Sequence, residues 1–539
     1  MSGAITIAVG SGVAAAALAR RILTRDSASK VIILEAGGDF PVADGRKWLD
    51  FVMTGISPTK DFEDAKTDAD INQDGGFGLA GGRMLGRGGA TSHWGGWCPR
   101  MKPEDFHLGE VRHGSVNWPI SYKDIAHYYT QAEALLSVCG DSTTKTVPRF
   151  GEAFPHAPIP FTAFDHLLIP TLEKLGYGYE ALPIARNPDR CHTTGTCRYC
   201  PLDARYNAAS DLNTLVSEFQ GRVEVRVNTP VTSIAMSNRR TAIGVAVMEK
   251  STGKTKIVAG DRVIVTAGTI ESAKLLLASM SAMWPKGIGN DTDHVGRHIV
   301  THPLLRGVGL ILSNRERLEQ EIGFPTMACR YFDSEKYQTQ GKMFFVRDGK
   351  YIHIPIAEKL IQGETPAQVN NEIVTGTRIE LRAFVEAFPD DGNRVTLASG
   401  TTSVGLPRTK IQYRESAETL QARIVHQENL EHLLYQAGLS KTSPLAAAGG
   451  SRADHAASTC RMSMTAADGV VDSKLRVHET DNVYVCSNAV FPNTGAINPT
   501  LTLVALALRL GDTTSRAARN RTIFRGRWSA SAPWVGWRG

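Results

Sequence analysis

The sequence predicts an α/β protein. A parallel-sheet βαβ domain of the nucleotide-binding kind is joined to an α+β domain with an antiparallel sheet, and both domains are discontinuous along the chain. Three observations carry this. Residues 5–38 (ITIAVGSGVAAAALARRILTRDSASKVIILEAGG) read strand, glycine turn, helix, strand. Residues 261–279 (DRVIVTAGTIESAKLLLAS) repeat strand, glycine turn, helix far downstream. Between 300 and 450 the pattern changes to strand-like runs such as KMFFVRD and TRIELRAFVEAF, with one helix near 416–437.

The first element sets the chemistry. The β-branched run Ile5 to Val9 meets a turn at Gly10 and Gly12. Gly10 permits the tight turn, and Gly12 lets backbone approach a pyrophosphate. Ala15 stands where a third glycine is usual and still allows close helix–strand packing. The helix that begins at Val13 offers its free N–H groups and positive dipole end to phosphates. The second strand ends at Glu35, followed by Ala36, and a carboxylate there can accept hydrogen bonds from ribose hydroxyls. Strand, turn, helix, strand and acid together predict dinucleotide binding; the plainer reading is a purely structural βαβ unit.

Bulk properties narrow the class. The chain has 539 residues, enough for two or more domains with sizeable cores. Hydrophobic residues make up 42% and charged ones 21%, as in globular domains, and a net charge of +6 does not argue for nucleic-acid binding. Eight cysteines are too few for a disulfide scaffold. No run of 18 apolar residues predicts a transmembrane segment. The N-terminus lacks a basic n-region, and its apolar run is interrupted by the glycine turn, so no signal peptide is expected. A cytoplasmic location follows as an expectation; export together with a partner would leave no mark in this sequence.

In chain order, residues 39–74 are mixed and partly acidic, reading as surface loop and short helix. Residues 75–96 (GGFGLAGGRMLGRGGATSHWGG) hold ten glycines in 22 positions, punctuated by Met84, Leu85, His93 and Trp94. That density suits a backbone pressed against a large flat ligand, or one needing positive φ repeatedly; the alternative is a glycine-rich surface loop. Residues 117–139 predict a helix capped by Ser121, with apolar positions at Ile125, Tyr128, Ala132 and Leu135. Residues 145–185 are irregular and proline-rich, with a helix near 165–175, and residues 222–268 return to strand character. The tail, 513–539, has six arginines, three tryptophans and no acid. It reads as a strapped-down or disordered terminus, or as a docking segment for a membrane surface or a partner.

Distant segments then combine. With GSGVAAAALA…LEAGG and GRGGATSHWGG come VIVTAGTIESAKLLL (263–277), VGRHIVTHP (295–303), DHAASTCRM (454–462), VYVCSNAVFP (483–492) and GAINPTLTLVALALRLGD (495–512). This ordered set resembles the glucose–methanol–choline (GMC) family of FAD oxidoreductases. Within it, the likeness is nearest to the bacterial sugar and polyol dehydrogenases and the pyranose-oxidase branch, on the GGxxxHW signature of Gly88, Gly89, His93 and Trp94 and on WPISYKDIAHYYTQAE. The region 310–450 matches loosely, apart from FVEAFPDDGNRVTLA.

The resemblance implies a division of the chain into an FAD-binding domain (1–110, 181–305 and 451–515), cap elements of the substrate domain (111–180), a substrate-binding domain (306–450) and a basic tail (516–539). It implies cofactor contacts at Gly10, Gly12, Ala15, Glu35, Ala36, Gly86, Gly89, Ala90, His93, Trp94, Gly95, Val231, Ala267, Ser487, Asn488, Asn498, Pro499 and Thr500. Alcohol oxidation by a flavin removes a hydride from carbon to N5 and a proton from the hydroxyl to a base, a task suited to histidine. The matching residue is His455 in HAASTCRM, and its partner, a second His or an Asn in the family, is Asn498 in AINPT. Ser487 stands where the family often has Asp, so a charged cofactor contact is missing there. His93 carries two readings: covalent attachment to the flavin, as in the pyranose-oxidase branch, or packing beside the ring.

One motif stands apart. Cys191, Cys197 and Cys200 form C-x5-C-x2-C before PLDARYNA. The bacterial glucose and fructose dehydrogenases have a similar cysteine run holding a three-iron cluster, but here one residue is missing between the last two cysteines and an adjacent extra Cys is absent. An iron–sulfur cluster, metal-free thiols and, least favoured, zinc with His192 are the three readings. The implied function is oxidation of a sugar, glycoside or polyol hydroxyl to the carbonyl. Electrons would pass to a quinone, a cytochrome or oxygen, with a small or cytochrome subunit as a further partner. The rivals are a flavin-containing lyase of the same family and an electron-transfer subunit with a vestigial site; a nicotinamide dehydrogenase would give the C-terminal motifs no role.

Overall fold

The computed structural model describes residues 3–525 apart from 63–70, 75–76, 79–81, 113–115, 145–146, 148, 150, 193–195, 249–253, 312–323, 335–336, 338, 348–355, 370–376, 403–405 and 442–452. The aromatic part of the C-terminal tail, 526–539, lies outside the described residues.

The expected βαβ unit is the centre of a five-stranded parallel sheet. Strand β1 (Ile5–Val9) lies between β2 (Lys30–Leu34) and β4 (Arg262–Val265); β3 (Val223–Arg226) flanks β2, and β5 (Val483–Val485) flanks β4. Covered on both faces, the middle strands are continuous apolar runs: Ile7, Ala8, Val263, Ile264 and Val265 are all buried. Residues from three distant segments thus share one sheet, and loops at the carboxyl ends of adjacent strands converge on one crevice.

Helix α1 (Val13–Arg25) follows β1, with Ala14 to Ala17 buried. Its small side chains admit close partners, Ala15 among them. The last described helix, α4 (Thr500–Arg525), lies against α1: a Cβ on Gly511 would fall 2.7 Å from Cβ of Arg21. The Arg21 guanidinium grips the Asp512 carboxylate with two bonds of 2.7 Å and Arg25 adds a third at 3.1 Å, so the first and last helices are joined by apolar packing and ion pairs to Asp512. The tail expected from 516 onward therefore begins as a continuation of α4 as far as Arg525.

The second sheet is antiparallel and six-stranded. Its order is Ser440–Lys441, Leu304–Ile311, Thr377–Val385, Gly341–Arg347, Met327–Cys329 and Tyr179–Ala181. Helix α3 (Ala417–Gln436) crosses it, burying Leu430, Leu433 and Leu434; Gly307 makes room, since a Cβ there would sit 2.8 Å from Leu434 Cδ1. This is the substrate-side domain expected from the strand-like runs. Helix α2 (Gly268–Ala278) carries the second strand–turn–helix motif.

Local signals place boundaries well. The helix expected at 117–139 forms over Tyr122–Leu135. Its start is fixed because Asp124 accepts bonds from Ser121 N (2.7 Å) and Oγ (2.9 Å); its end comes where Ser137 takes φ +55°. Among the described residues no helix is long and apolar enough to cross a membrane.

Candidate active site

The dinucleotide end is built by the opening turn. Gly10 has φ +100°, and a Cβ on it would strike Thr266 O and Ala267 Cα at 2.9 Å. Only glycine fits there. A Cβ on Gly12 would meet nothing within 4 Å, and no side chain caps the α1 N-terminus. The N–H groups of that first turn are thus presented to the crevice, the arrangement a pyrophosphate needs. Glu35 terminates β2 as an organising group: Oε2 accepts from Ser11 N (3.0 Å) and Ser11 Oγ (2.7 Å), Oε1 from Gly37 N (2.9 Å). Burial pushes its carboxyl above the usual range, and these bonds oppose the shift. Ser11, which sequence reasoning passed over, ties the acid to the glycine turn.

The glycine-rich stretch reaches this turn. Gly88 and Gly89 have φ +92° and +54°, and the Cβ that Gly89 lacks would lie 3.3 Å from Gly12 Cα. The short helix Gly89–Ser92 then delivers His93, Trp94 and Gly95. Arg205 pins this loop from behind, donating to Ser92 O (2.7 Å) and Trp94 O (2.6 Å), while Trp94 Nε1 donates to Tyr206 O (2.9 Å). Arg205 is fully buried, and burial pulls its guanidinium down to about 10.

The same crevice holds the expected chemical residues. Asn498 Nδ2 lies 3.1 Å from His455 Nε2, though 43 positions separate them. The 3-10 turn Ala453–His455 brings one and the approach to α4 the other. His302 was quoted in a motif but assigned no role, and it proves to be the third member: its Nδ1 is 2.9 Å from His455 Nδ1, and its Nε2 is 2.8 Å from Gly495 O. Phe384 covers the pair, its ring centroid 4.4 Å from that of His455.

His455, Asn498 and Phe384 line a cavity of about 710 Å³, with His302 behind them. Of the expected cofactor residues, Gly10, Gly12, Glu35, Ala36, Gly89, Ala90, His93, Trp94, Gly95, Val231, Ala267, Ser487, Asn488, Asn498 and Thr500 line it, together with His455. Ala15, Gly86 and Pro499 do not: Ala15 is packed in the α1 interface and Gly86 is bridged to Gly38. Trp97, Arg198, Leu304, Arg382 and Phe384, which the sequence did not single out, complete the wall. A cavity lined both by an open helix N-terminus and by a His–Asn pair fits a dinucleotide flavin. Gly10 to Val13 and Glu35 would hold its ADP part, and the 90–95 loop its ring.

The three cysteines behave differently. Among the described residues no group of three His, Cys, Asp or Glu side chains is placed to hold a metal ion. Cys191 Sγ accepts a bond from Arg186 (2.8 Å), which also bonds Cys197, and Cys200 Sγ accepts one from Ala204 N (3.3 Å). Residues 193–195 of this loop lie outside the described set. The loop does reach the cavity, through Arg198.

Behind Gly495 lies a buried ionic cluster between the two domains. A Cβ on Gly495 would meet Asp105 Oδ1 at 3.1 Å, and Gln340 Nε2 donates to the same oxygen (3.2 Å). Glu386 is buried beside Arg112 (3.5 Å). Burial pushes the Glu386 carboxyl up to about 7 against the opposing pull of Arg112. Burial, then Asp333, raises Asp105 as well. Each native carboxyl keeps its proton where the unfolded chain has lost it, so stability falls as pH rises from about 4.5 through about 7 and is flat above. Glu386→Gln is expected to remove about 2–3 kcal/mol of that dependence. Denaturant unfolding at about pH 5 and about pH 8 measures it; an unaltered difference between the two conditions would rule the assignment out.

Comparison with known proteins agrees with this architecture. Residues 74–304 match the N-terminal, and residues 389–507 the C-terminal, family model described as GMC oxidoreductase. The fructose dehydrogenase large subunit of Gluconobacter japonicus is 25% identical over 453 residues, covering 80% of each chain. The 6'''-hydroxyparomomycin C oxidase of Streptomyces lividus is 27% identical over 451 residues, covering 80% of this chain and 78% of that one. Among solved structures, formate oxidase of Aspergillus oryzae RIB40 is 16% identical, covers 96% of this chain and 100% of its own, and superposes with a TM-score of 0.68, a likeness of fold.

Proposed function

This chain belongs to the GMC oxidoreductase family, FAD-dependent enzymes acting on alcohol- and sugar-type substrates, and from that premise we propose that it oxidises a sugar, glycoside or polyol hydroxyl to the carbonyl with His455 as base. The observation that carries the reading is the His455–Asn498 pair, 3.1 Å apart in the wall of the cavity. FAD, when bound, supplies the hydride acceptor, flavin N5.

The chain's own residues do the rest. His455 Nε2 faces Asn498 and takes the hydroxyl proton. The Asn498 amide, held at the start of α4, positions the substrate oxygen beside that nitrogen. Phe384, Leu304 and Trp97 form an apolar roof that excludes water, which strengthens both polar contacts. Arg382 gives the same wall a cationic group for a polyhydroxylated substrate. A relative named as the large subunit of a dehydrogenase favours an electron acceptor or partner subunit over oxygen alone.

The test is anaerobic mixing of the purified holoprotein with a panel of sugars, glycosides, polyols and simple alcohols. Bleaching of the flavin by one of them is expected, with aerobic repetition reporting whether oxygen reoxidises it. Turnover without bleaching would point to lyase chemistry, and no response to any panel member would defeat the reading.

A further inference from the structure

The base of an alcohol oxidation must present a lone pair, so the tautomer of His455 decides whether the site is competent. Imidazole in water exchanges freely between its two neutral forms. Here the hydrogen bonds leave no choice. Gly495 O is a carbonyl and can only accept, so His302 Nε2, 2.8 Å away, must carry a hydrogen. A neutral ring has one N–H, so His302 Nδ1 is an acceptor. His455 Nδ1 lies 2.9 Å from it and must therefore donate. The remaining nitrogen, His455 Nε2, is left unprotonated and directed at Asn498 Nδ2, a donor 3.1 Å away. The contacts on the two sides of His455 agree.

We propose that His302 is a positioning residue that locks His455 in the Nδ1–H tautomer, with Gly495 O as the anchor of the chain. The proposal rests on the reading of His455 as base. The geometry holds His302 to this task. Its ring is buried, and it stands edge-to-face on His455 with centroids 5.1 Å apart. Gly495 turns its carbonyl into place with φ +51°, a conformation L side chains rarely adopt, packed close against Asp105 and Gln340. The chain of bonds ends on that carbonyl, which accepts a hydrogen bond but not a proton. His302 therefore orients and polarises the base without conducting its proton away, and the proton taken by Nε2 must leave through the cavity.

Two variants separate orientation from packing. His302→Asn keeps an acceptor at the Nδ1 position and loses the bond to Gly495. His302→Gln keeps a donor near the Nε2 position and loses the acceptor. The Gln variant is expected to slow anaerobic flavin reduction by roughly 10²-fold or more with KM little changed. The Asn variant should stay within about tenfold of the parent, since it keeps the acceptor that matters. Nitrogen NMR of the ¹⁵N-histidine holoprotein, assigned with His455→Ala, should show His455 protonated at Nδ1 in the parent and mixed in the Gln variant. Equal losses in the two variants, a loss confined to KM, or a His455 ring protonated at Nε2 in the parent would each overturn the proposal. The NMR result does not depend on turnover, so a failure of the oxidation reading, seen as no bleaching by any substrate, remains distinguishable from a failure of this one.

Discussion

His455→Ala is expected to lower the rate of flavin reduction by about 10²–10⁴-fold while FAD content and the unfolding transition stay close to those of the parent. The size follows from the role: a positioned base is worth that much when it removes a proton as the hydride leaves. The specificity follows from the site. His455 reaches the cavity from a 3-10 turn and contacts Asn498, His302 and Phe384, none of which belongs to the opening glycine turn. Asn498→Ala should cost less, because it removes orientation and leaves the base. Stopped-flow reduction with the best substrate of the panel, alongside flavin content, reads both quantities. Full-rate reduction by His455→Ala would move the base elsewhere and favour the alternative of a vestigial site. Loss of flavin instead of rate would make His455 part of the cofactor wall.

Gly10→Ala is expected to abolish FAD retention and to lower the unfolding temperature of what remains. The added Cβ meets backbone atoms of Thr266 and Ala267 at 2.9 Å, and neither can rotate away. The native φ of +100° is in addition one that an L side chain rarely adopts, at a cost of about 1–3 kcal/mol. Relief requires β1 and β4 to part at their carboxyl ends, where the helix N-terminus must receive the pyrophosphate. The measurement is flavin content after gel filtration and a melt in the presence of excess FAD, since ligand linked to the native state raises stability by mass action. A variant that purifies yellow and melts with the parent would show that the turn can adapt. Gly12→Ala offers the contrast: with nothing within 4 Å of its Cβ, it should fold normally and lose affinity only by crowding the phosphates.

The parts legible in the sequence are those whose physics is local or periodic. The β1–α1–β2 unit, the cap at Ser121, the helix over 417–436 and the strand at 377–385 all announce themselves through apolar period, capping residues and glycine. Likewise, most of the residues expected to face the cofactor line the one cavity, because the motifs that carry them sit at strand ends and loop tips that the parallel sheet brings to one edge. Ala15 and Gly86 depart from that pattern: they serve the packing behind the turn, and smallness is required for backbone approach as much as for a ligand.

What the chain order alone determined about this protein is the identity of its chemistry-bearing groups: a dinucleotide turn at one end, a histidine and an amide at the other, and the family that this order implies. The tertiary structure decided how those groups are poised. His302 lies 153 positions from His455, and no spacing rule connects them; the folded chain, bridging Val300 to Ala457 beside them, sets their nitrogens 2.9 Å apart. Arg382 and Phe384 become cavity wall because strand alternation turns both to the same side, and that side faces the cavity. The three cysteines show the converse. Their spacing suggested ligands, but whether thiols converge on one ion is a property of the folded loop: Arg186 lies beside both Cys191 and Cys197, and Ala204 N donates to Cys200. Patterns along a chain record periodicity and local bonds; tautomers and convergent sites depend on contacts between distant segments, which only the folded structure supplies.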